Sequence, residues 1–299
     1  MTTHHLPLTP EETAVRVRGI ALILATVFCF ALLDTSAKFA ARTVPSLEVA
    51  WFRYFINLVI AVAVLQPWRH WSDYVTRHPW QQAWRGLLLL GSTVFNFFAV
   101  RYLPLAVTGS INFSGPLLAT ALAGPVLGEW PGPRRWAAVV VGFAGVLIVI
   151  QPQPSTFNPA ALLSLGSALC YAGYLLSTRR LAASDSAASM LIYPAVLATI
   201  LLTPTLPPVG IMPPTWQVAV ALLGTGVTAG VGHWFLIAAH RNAPPTVLAP
   251  FSYTQLIWMI GLGYIVFGDL PGPGTLIGAA LIVASGLYAL YRERVRRDR

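Results

Sequence analysis

Apolar positions in this chain come in long blocks, with neither the alternation of a half-buried strand nor the narrow stripe of a surface helix. Ten such blocks can be placed, at roughly 17–41, 46–66, 83–102, 105–127, 134–150, 158–180, 187–204, 215–239, 245–267 and 273–291. Each approaches the ~20 largely apolar residues that a helix needs to cross a bilayer. The segments between them are short and rich in Pro and Gly: QPQPSTFNP, TPTLPPVGIMPP, RNAPP and DLPGPG. Such sequences stop helices. The longer polar stretch at 67–82, PWRHWSDYVTRHPWQQ, carries tryptophans suited to the headgroup level. The pattern predicts an all-α polytopic membrane protein with ten transmembrane helices.

Composition agrees. Hydrophobic residues make up 56% of the chain and Asp, Glu, Lys and Arg only 10%, against roughly 25% charged residues in a soluble domain. Mean hydropathy is +0.66. The net charge of +9 does not indicate a nucleic-acid partner. The basic residues lie between apolar blocks and at the C-terminus, where they meet anionic headgroups, and no soluble basic patch exists to contact phosphates. Fifteen of the nineteen Lys and Arg residues fall on one side if both termini are cytoplasmic; the exceptions are Lys38, Arg42, Arg53 and Arg101. The bias predicts an N-in, C-in topology. Cys29 and Cys170 sit inside apolar blocks and form no disulfide framework or metal-ligand spacing. No metal or other cofactor is expected, and no phosphate-binding loop signals ATP hydrolysis. The polar N-terminus, MTTHHLPLTPEETAVRVR, does not read as a cleaved signal.

The chain repeats itself. GEWPGP at 128–133 and GDLPGP at 268–273 are 140 residues apart, and the register holds without a gap over 101–133 and 241–273. Upstream, CFALLDTSAK (29–38) lies on CYAGYLLSTR (170–179) at an offset of 141, so Lys38 matches Arg179. Each half holds five spans. Five is odd, so the second half enters the membrane from the opposite side. The expected organisation is a cytoplasmic tail (1–16), a five-helix repeat (17–150), an extracytoplasmic linker (151–157), an inverted five-helix repeat (158–291) and a basic cytoplasmic tail (292–299). Inverted repeats around a central cavity are the build of secondary transporters.

Two stretches carry a family resemblance. ALLDTSAKFA…VPSLEVAWFRYF (31–55) is similar to the first two spans of the drug/metabolite transporter superfamily, EamA type, and LGEWPGPRRWAAVVVGFAGVLIV (127–149) resembles that family's corner and fifth span. One departure is Leu33–Asp34, where a tryptophan–glycine pair is often seen in that family. The branch it most resembles is the bacterial YddG-type amino-acid exporters. The resemblance implies a ten-helix basket with a central cavity in a bacterial cytoplasmic membrane, alternating access, and efflux of amino acids, aromatic ones included. A carrier for another metabolite or drug, such as a nucleotide sugar or S-adenosylmethionine, fits the same frame. Homo-oligomers are possible through the small-residue faces of Gly142–Gly145 and Gly278–Ser285, which could pack within one chain or between two.

Polar groups at membrane depth face a cavity or each other. Asp34 and Lys38 share a helix face and read either as an ion pair near the outer surface or as a gate. Arg53 pairs with Asp34 or Glu48, or meets a substrate carboxylate. Asn96 and Asn112 fall near the midplane, beside a break expected at Gly115–Pro116. Asn112 and Ser114 match Ser252 and Thr254, so NFS and SYT, with Phe113 and Tyr253 at their centres, occupy symmetric places, and Gln255 follows. This polar–aromatic–hydroxyl pattern suits a zwitterion with an apolar side chain, or ordinary interhelical bonding. Tyr171, Tyr174 and Trp258 could stack on a ring, and His233 could carry a proton. No residues converge as a nucleophile–base pair, so no catalytic residue is assigned and an intramembrane enzyme is a remote alternative. A passive channel would lack saturable countertransport.

Overall fold

The computed structural model describes residues 10–69, 71–151, 157–182, 184–206 and 213–297. Among them twelve α-helices follow one another: α1 (Pro10–Ala40), α2 (Ser46–Leu65), α3 (Pro79–Tyr102), α4 (Leu105–Asn112), α5 (Gly115–Leu127), α6 (Pro133–Ile150), α7 (Ala160–Leu181), α8 (Ala187–Leu202), α9 (Trp216–Asn242), α10 (Pro245–Ser252), α11 (Gln255–Phe267) and α12 (Pro273–Arg297). Among the described residues, ten helical stretches are long and apolar enough to cross a membrane. The fourth is α4 with α5 and the ninth is α10 with α11, each broken in the middle.

Several ends differ from the sequence expectation. The polar residues from Pro10 extend α1 seven positions ahead of the expected start at 17, and Pro79 opens α3 four positions early, as proline favours the first turn. At the other end, α12 runs on through the basic stretch to Arg297. The remainder of both tails, and 152–156 of the linker, lie outside the described residues.

The helix pairing is that of a two-fold object. α1 packs on α9 and α3 on α7. Under the repeat offset α1 corresponds to α7 and α3 to α9, so these are one contact made twice. α2 packs on α8 and α6 on α12, and each of these pairs joins a helix to its own mate. The contacts run on small side chains: Ala31, Ala37, Ala40, Ala172, Ala229 and Ala239 are fully buried. Close approach lets dispersion hold helices together where lipid competes with any larger apolar group. α6 and α12 approach backbone to backbone. A Cβ on Gly278 would meet the Gly145 carbonyl and the Val149 backbone. The small-residue faces of these two helices therefore pack on each other within one chain.

The repeated hexapeptides make one corner twice. Gly128 and Gly268 take left-handed conformations, with φ of 74° and 73°, which cost glycine nothing. Their N–H groups bond the carbonyls of Gly124 (2.8 Å) and Tyr264 (2.9 Å). The next N–H groups, of Glu129 and Asp269, reach back to Ala123 (3.2 Å) and Gly263 (3.1 Å). Pro133 and Pro273 then begin α6 and α12.

Candidate functional site

The breaks in the fourth and ninth spans fall on the matched trios. Both turns sit at the second and third members: Phe113 and Ser114 with ψ of −8° and −14°, and Tyr253 and Thr254 with ψ of −16° and −15°. The turn thus precedes the expected Gly115–Pro116, and Pro116 lies in the first turn of α5, where its missing N–H costs nothing. At each break a hydroxyl adds a second bond to a carbonyl that already accepts the backbone N–H three residues on. Ser114 Oγ donates to Ile111 O and Thr254 Oγ1 to Phe251 O, both at 2.6 Å. Irregular backbone at this depth needs such partners. Ser114 thus spends its one hydroxyl proton on the backbone and keeps acceptor capacity. The central members, Phe113 and Tyr253, meet each other, with ring centroids 5.2 Å apart, so the pseudo-two-fold passes between them.

Beside this break runs a polar chain across three spans. Asn96 Nδ2 donates to Asp34 Oδ1 (2.9 Å), and Asn112 Nδ2 donates to Asn96 Oδ1 (2.8 Å). A carboxylate only accepts, so Asp34 fixes the direction of both amides. The chain ends in an acceptor with no partner, the buried Asn112 Oδ1. Asn96 lies six residues inside the end of α3 and Asn112 seven inside the start of α4, about 9–10 Å below the outer corner at 1.5 Å per residue. Asp34 is 8% exposed. Among the described residues no Lys, Arg or His nitrogen lies within 4.0 Å of its carboxylate.

The expected Asp34–Lys38 pair does not form. Lys38 instead crosses to the other repeat, with Nζ 2.5 Å from Asp269 and 2.9 Å from Leu103 O, above the Phe267 ring. Sequence reasoning weighed only a partner one helical turn away. The inverted topology brings the second corner to the outer end of α1, and the offset that matches Glu129 with Asp269 could have found it. Arg53 likewise pairs with neither Asp34 nor Glu48. Nη1 donates to Thr93 Oγ1 (2.6 Å), the guanidinium lies over the Tyr54 ring, and Nε is unpaired.

His233 Nδ1 donates to Ala229 O (2.7 Å), leaving Nε2 as an acceptor, and its ring meets Phe30 edge-on at 5.1 Å. Trp258 meets Phe28 at 4.8 Å. Phe28 and Phe30 carry no sequence signal beyond their apolar surroundings. Tyr171 and Tyr174 stack at 5.9 Å; the Tyr174 hydroxyl accepts from Arg85 (3.3 Å), and the Tyr171 ring lies against Gly115 at the break. Ser252 Oγ bonds only weakly to Leu248 O (3.5 Å), and Gln255 reaches Met259 Sδ at 3.9 Å. The structure thus joins Asp34, Asn96 and Asn112, and leaves Tyr171, Tyr174, Trp258 and His233 in separate contacts. A pocket of about 220 Å³ opens beyond the break, lined by Pro116, Thr120, Glu129, Arg135, Arg179 and Gly286 among others.

Ten spans in two inverted halves, broken where polar groups gather, define a secondary carrier. The chain belongs to the EamA-like transporter family, whose sequence pattern matches residues 17–151 and again 158–291. It is similar to an S-adenosylmethionine uptake transporter of Rickettsia conorii, 27% identical over 94% of this chain and 95% of the relative. A riboflavin transporter of Vibrio cholerae is 29% identical over 95% of this chain and 97% of its own length. A pseudopaline exporter of Pseudomonas aeruginosa is 25% identical over 89% and 94%. A solved crystal structure superposes with a TM-score of 0.60 at 21% identity, covering 95% of this chain and 98% of that one, and shares the fold. The protein is a transporter of small molecules, not an enzyme.

Proposed function

We propose that this protein carries a small zwitterionic metabolite bearing a cationic centre and an aromatic ring across the bacterial cytoplasmic membrane by alternating access, and that S-adenosylmethionine is the first compound to test. The supporting observation is the buried Asp34 carboxylate, which has an amide partner and, among the described residues, no cationic nitrogen within 4.0 Å. A lone buried carboxylate is costly, and a cationic ligand relieves that cost. The unpaired Asn112 Oδ1 offers a second acceptor to an ammonium N–H. Phe28, Phe30 and Trp258 supply ring faces on neighbouring helices.

This reading keeps the α-amino-acid head that an amino-acid exporter would recognise and adds the sulfonium and the heteroaromatic ring. The relatives include both an uptake protein and an exporter, so the fold serves either direction. The test is flux into proteoliposomes. Labelled S-adenosylmethionine should enter saturably and be accelerated by unlabelled compound inside. Riboflavin and phenylalanine serve as competitors. Trans-stimulated flux of phenylalanine alone would return the assignment to amino-acid export, and flux of riboflavin alone would remove the cation requirement.

A further inference from the structure

Lys38–Asp269 has an inverted counterpart. Arg179 matches Lys38 at the 141 offset, and Glu129 matches Asp269 at 140. Arg179 Nη2 donates to Glu129 Oε1 and Nη1 faces Oε2, both at 3.0 Å, a two-pronged guanidinium–carboxylate contact. In each pair the cation ends the first helix of one repeat and the anion stands in the corner of the other. The Arg bias places Lys38–Asp269 on the extracytoplasmic side and Arg179–Glu129 on the cytoplasmic side. This is why both corners carry an acid after the left-handed glycine.

The two pairs differ in setting. The Lys38 and Asp269 side chains are 8% and 30% exposed, and the ammonium is also held by the Leu103 carbonyl and the Phe267 ring, which Arg42 caps as well. Arg179 and Glu129 are 51% and 53% exposed and border the cytoplasmic pocket. We infer that these are the two latches of the transport cycle: Lys38–Asp269 holds the extracytoplasmic side shut and must part for the site to open outward, and Arg179–Glu129 must part for it to open inward. When the halves of an inverted repeat exchange conformations, the side that is open exchanges too, so a contact sealing one face has its mate at the other. The more deeply held outer latch biases the resting protein toward the outward-closed state. The inference rests on the carrier class and not on the identity of the substrate.

Accessibility of a cysteine at the break in the ninth span tests it with no substrate present. Gln255→Cys is placed in a Cys29→Ala/Cys170→Ala background and labelled with a membrane-impermeant maleimide, in right-side-out and in inverted vesicles. Asp269→Asn should raise the labelling rate from outside about tenfold, the population shift that follows loss of a charge-assisted contact. Glu129→Gln should raise it from inside and lower it from outside. The swap Lys38→Asp/Asp269→Lys should return outside labelling toward the parent rate. Parent rates in Asp269→Asn, or both variants acting from the same side, would overturn the latch assignment. Should Asp269→Asn elute as unfolded protein, the exposed Glu129→Gln decides alone, and unchanged labelling from both sides overturns the inference.

Discussion

Adding one methyl group to α12 tests how closely the two halves are joined. In a helix interior, Gly→Ala stabilises by ~0.8–1 kcal/mol through propensity alone. At Gly278 the new Cβ would stand 2.5 Å from the Gly145 carbonyl oxygen, 2.6 Å from Val149 Cγ2 and 3.0 Å from the Val149 nitrogen. Two of these three atoms are backbone and cannot turn aside, so α6 and α12 must separate. Overpacking of this kind costs ~1–3 kcal/mol, and the upper half applies here, for a net loss of about 1–2 kcal/mol after the propensity gain. At Gly261, in α11, a Cβ would find nothing within 4 Å, so Gly261→Ala should keep a gain of up to ~1 kcal/mol. The two variants should differ by about 2–3 kcal/mol, or roughly 4–6 °C in Tm at ~2 °C per kcal/mol for a long chain. The assay is size-exclusion chromatography of detergent-solubilised protein after graded heating. Gly278→Ala as stable as Gly261→Ala would refute the close α6–α12 packing.

Two further predictions concern the spans and the loops. Thr93→Val removes the hydrogen bond that Arg53 Nη1 donates to Thr93 Oγ1, and losing a bond to a buried charged group should cost ~1.5–3 kcal/mol, read in the same heating assay. The side chain of Asp185, in the loop after α7, is covered, which works against its charge, but hydrogen bonds from Thr76, Gln82 and Ser184 and the nearby His78 outweigh this and hold its carboxyl below the ordinary range. Its contribution is complete above the unfolded carboxylate value and fades as pH falls through the lowered one, below about pH 4. Asp185→Asn should therefore lower Tm at pH 7 and make stability flatter between pH 5 and 3, measured by the same assay across a pH series.

Much of the frame was legible because hydropathy and self-similarity are long-range signals averaged over many residues. The ten blocks, the odd count per half and the repeated corner all follow from them. What failed was local pairing. Asp34 and Lys38 are one helical turn apart and read as partners, yet Lys38 reaches Asp269, 231 positions away. Inverted topology decides that contact, and the repeat offset carries it only when applied to both members of a pair. The break in the fourth span is expected at the Gly115–Pro116 dipeptide. It falls at Phe113–Ser114, with its mate at Tyr253–Thr254, and in both a hydroxyl back-bond reinforces the i+3 backbone bond to the same carbonyl. Asn96 and Asn112 were read as near neighbours in depth, but their end-to-end chain to Asp34 depends on how α1, α3 and α4 converge. Phe28 and Phe30 sit in an apolar block, where nothing in the sequence separates a ring beside a site from one facing lipid.

The most direct measurement is equilibrium binding of labelled S-adenosylmethionine to the purified protein and to Asp34→Asn. Asparagine keeps the oxygen that accepts from Asn96 and removes the charge, so the fold should hold while a charge-assisted contact of ~1.5–3 kcal/mol is lost. The predicted result is saturable binding to the parent and affinity about 10–100-fold weaker in the variant at unchanged Tm. Equal affinity in the two proteins would contradict the role given to Asp34, and no binding to the folded parent would contradict the substrate.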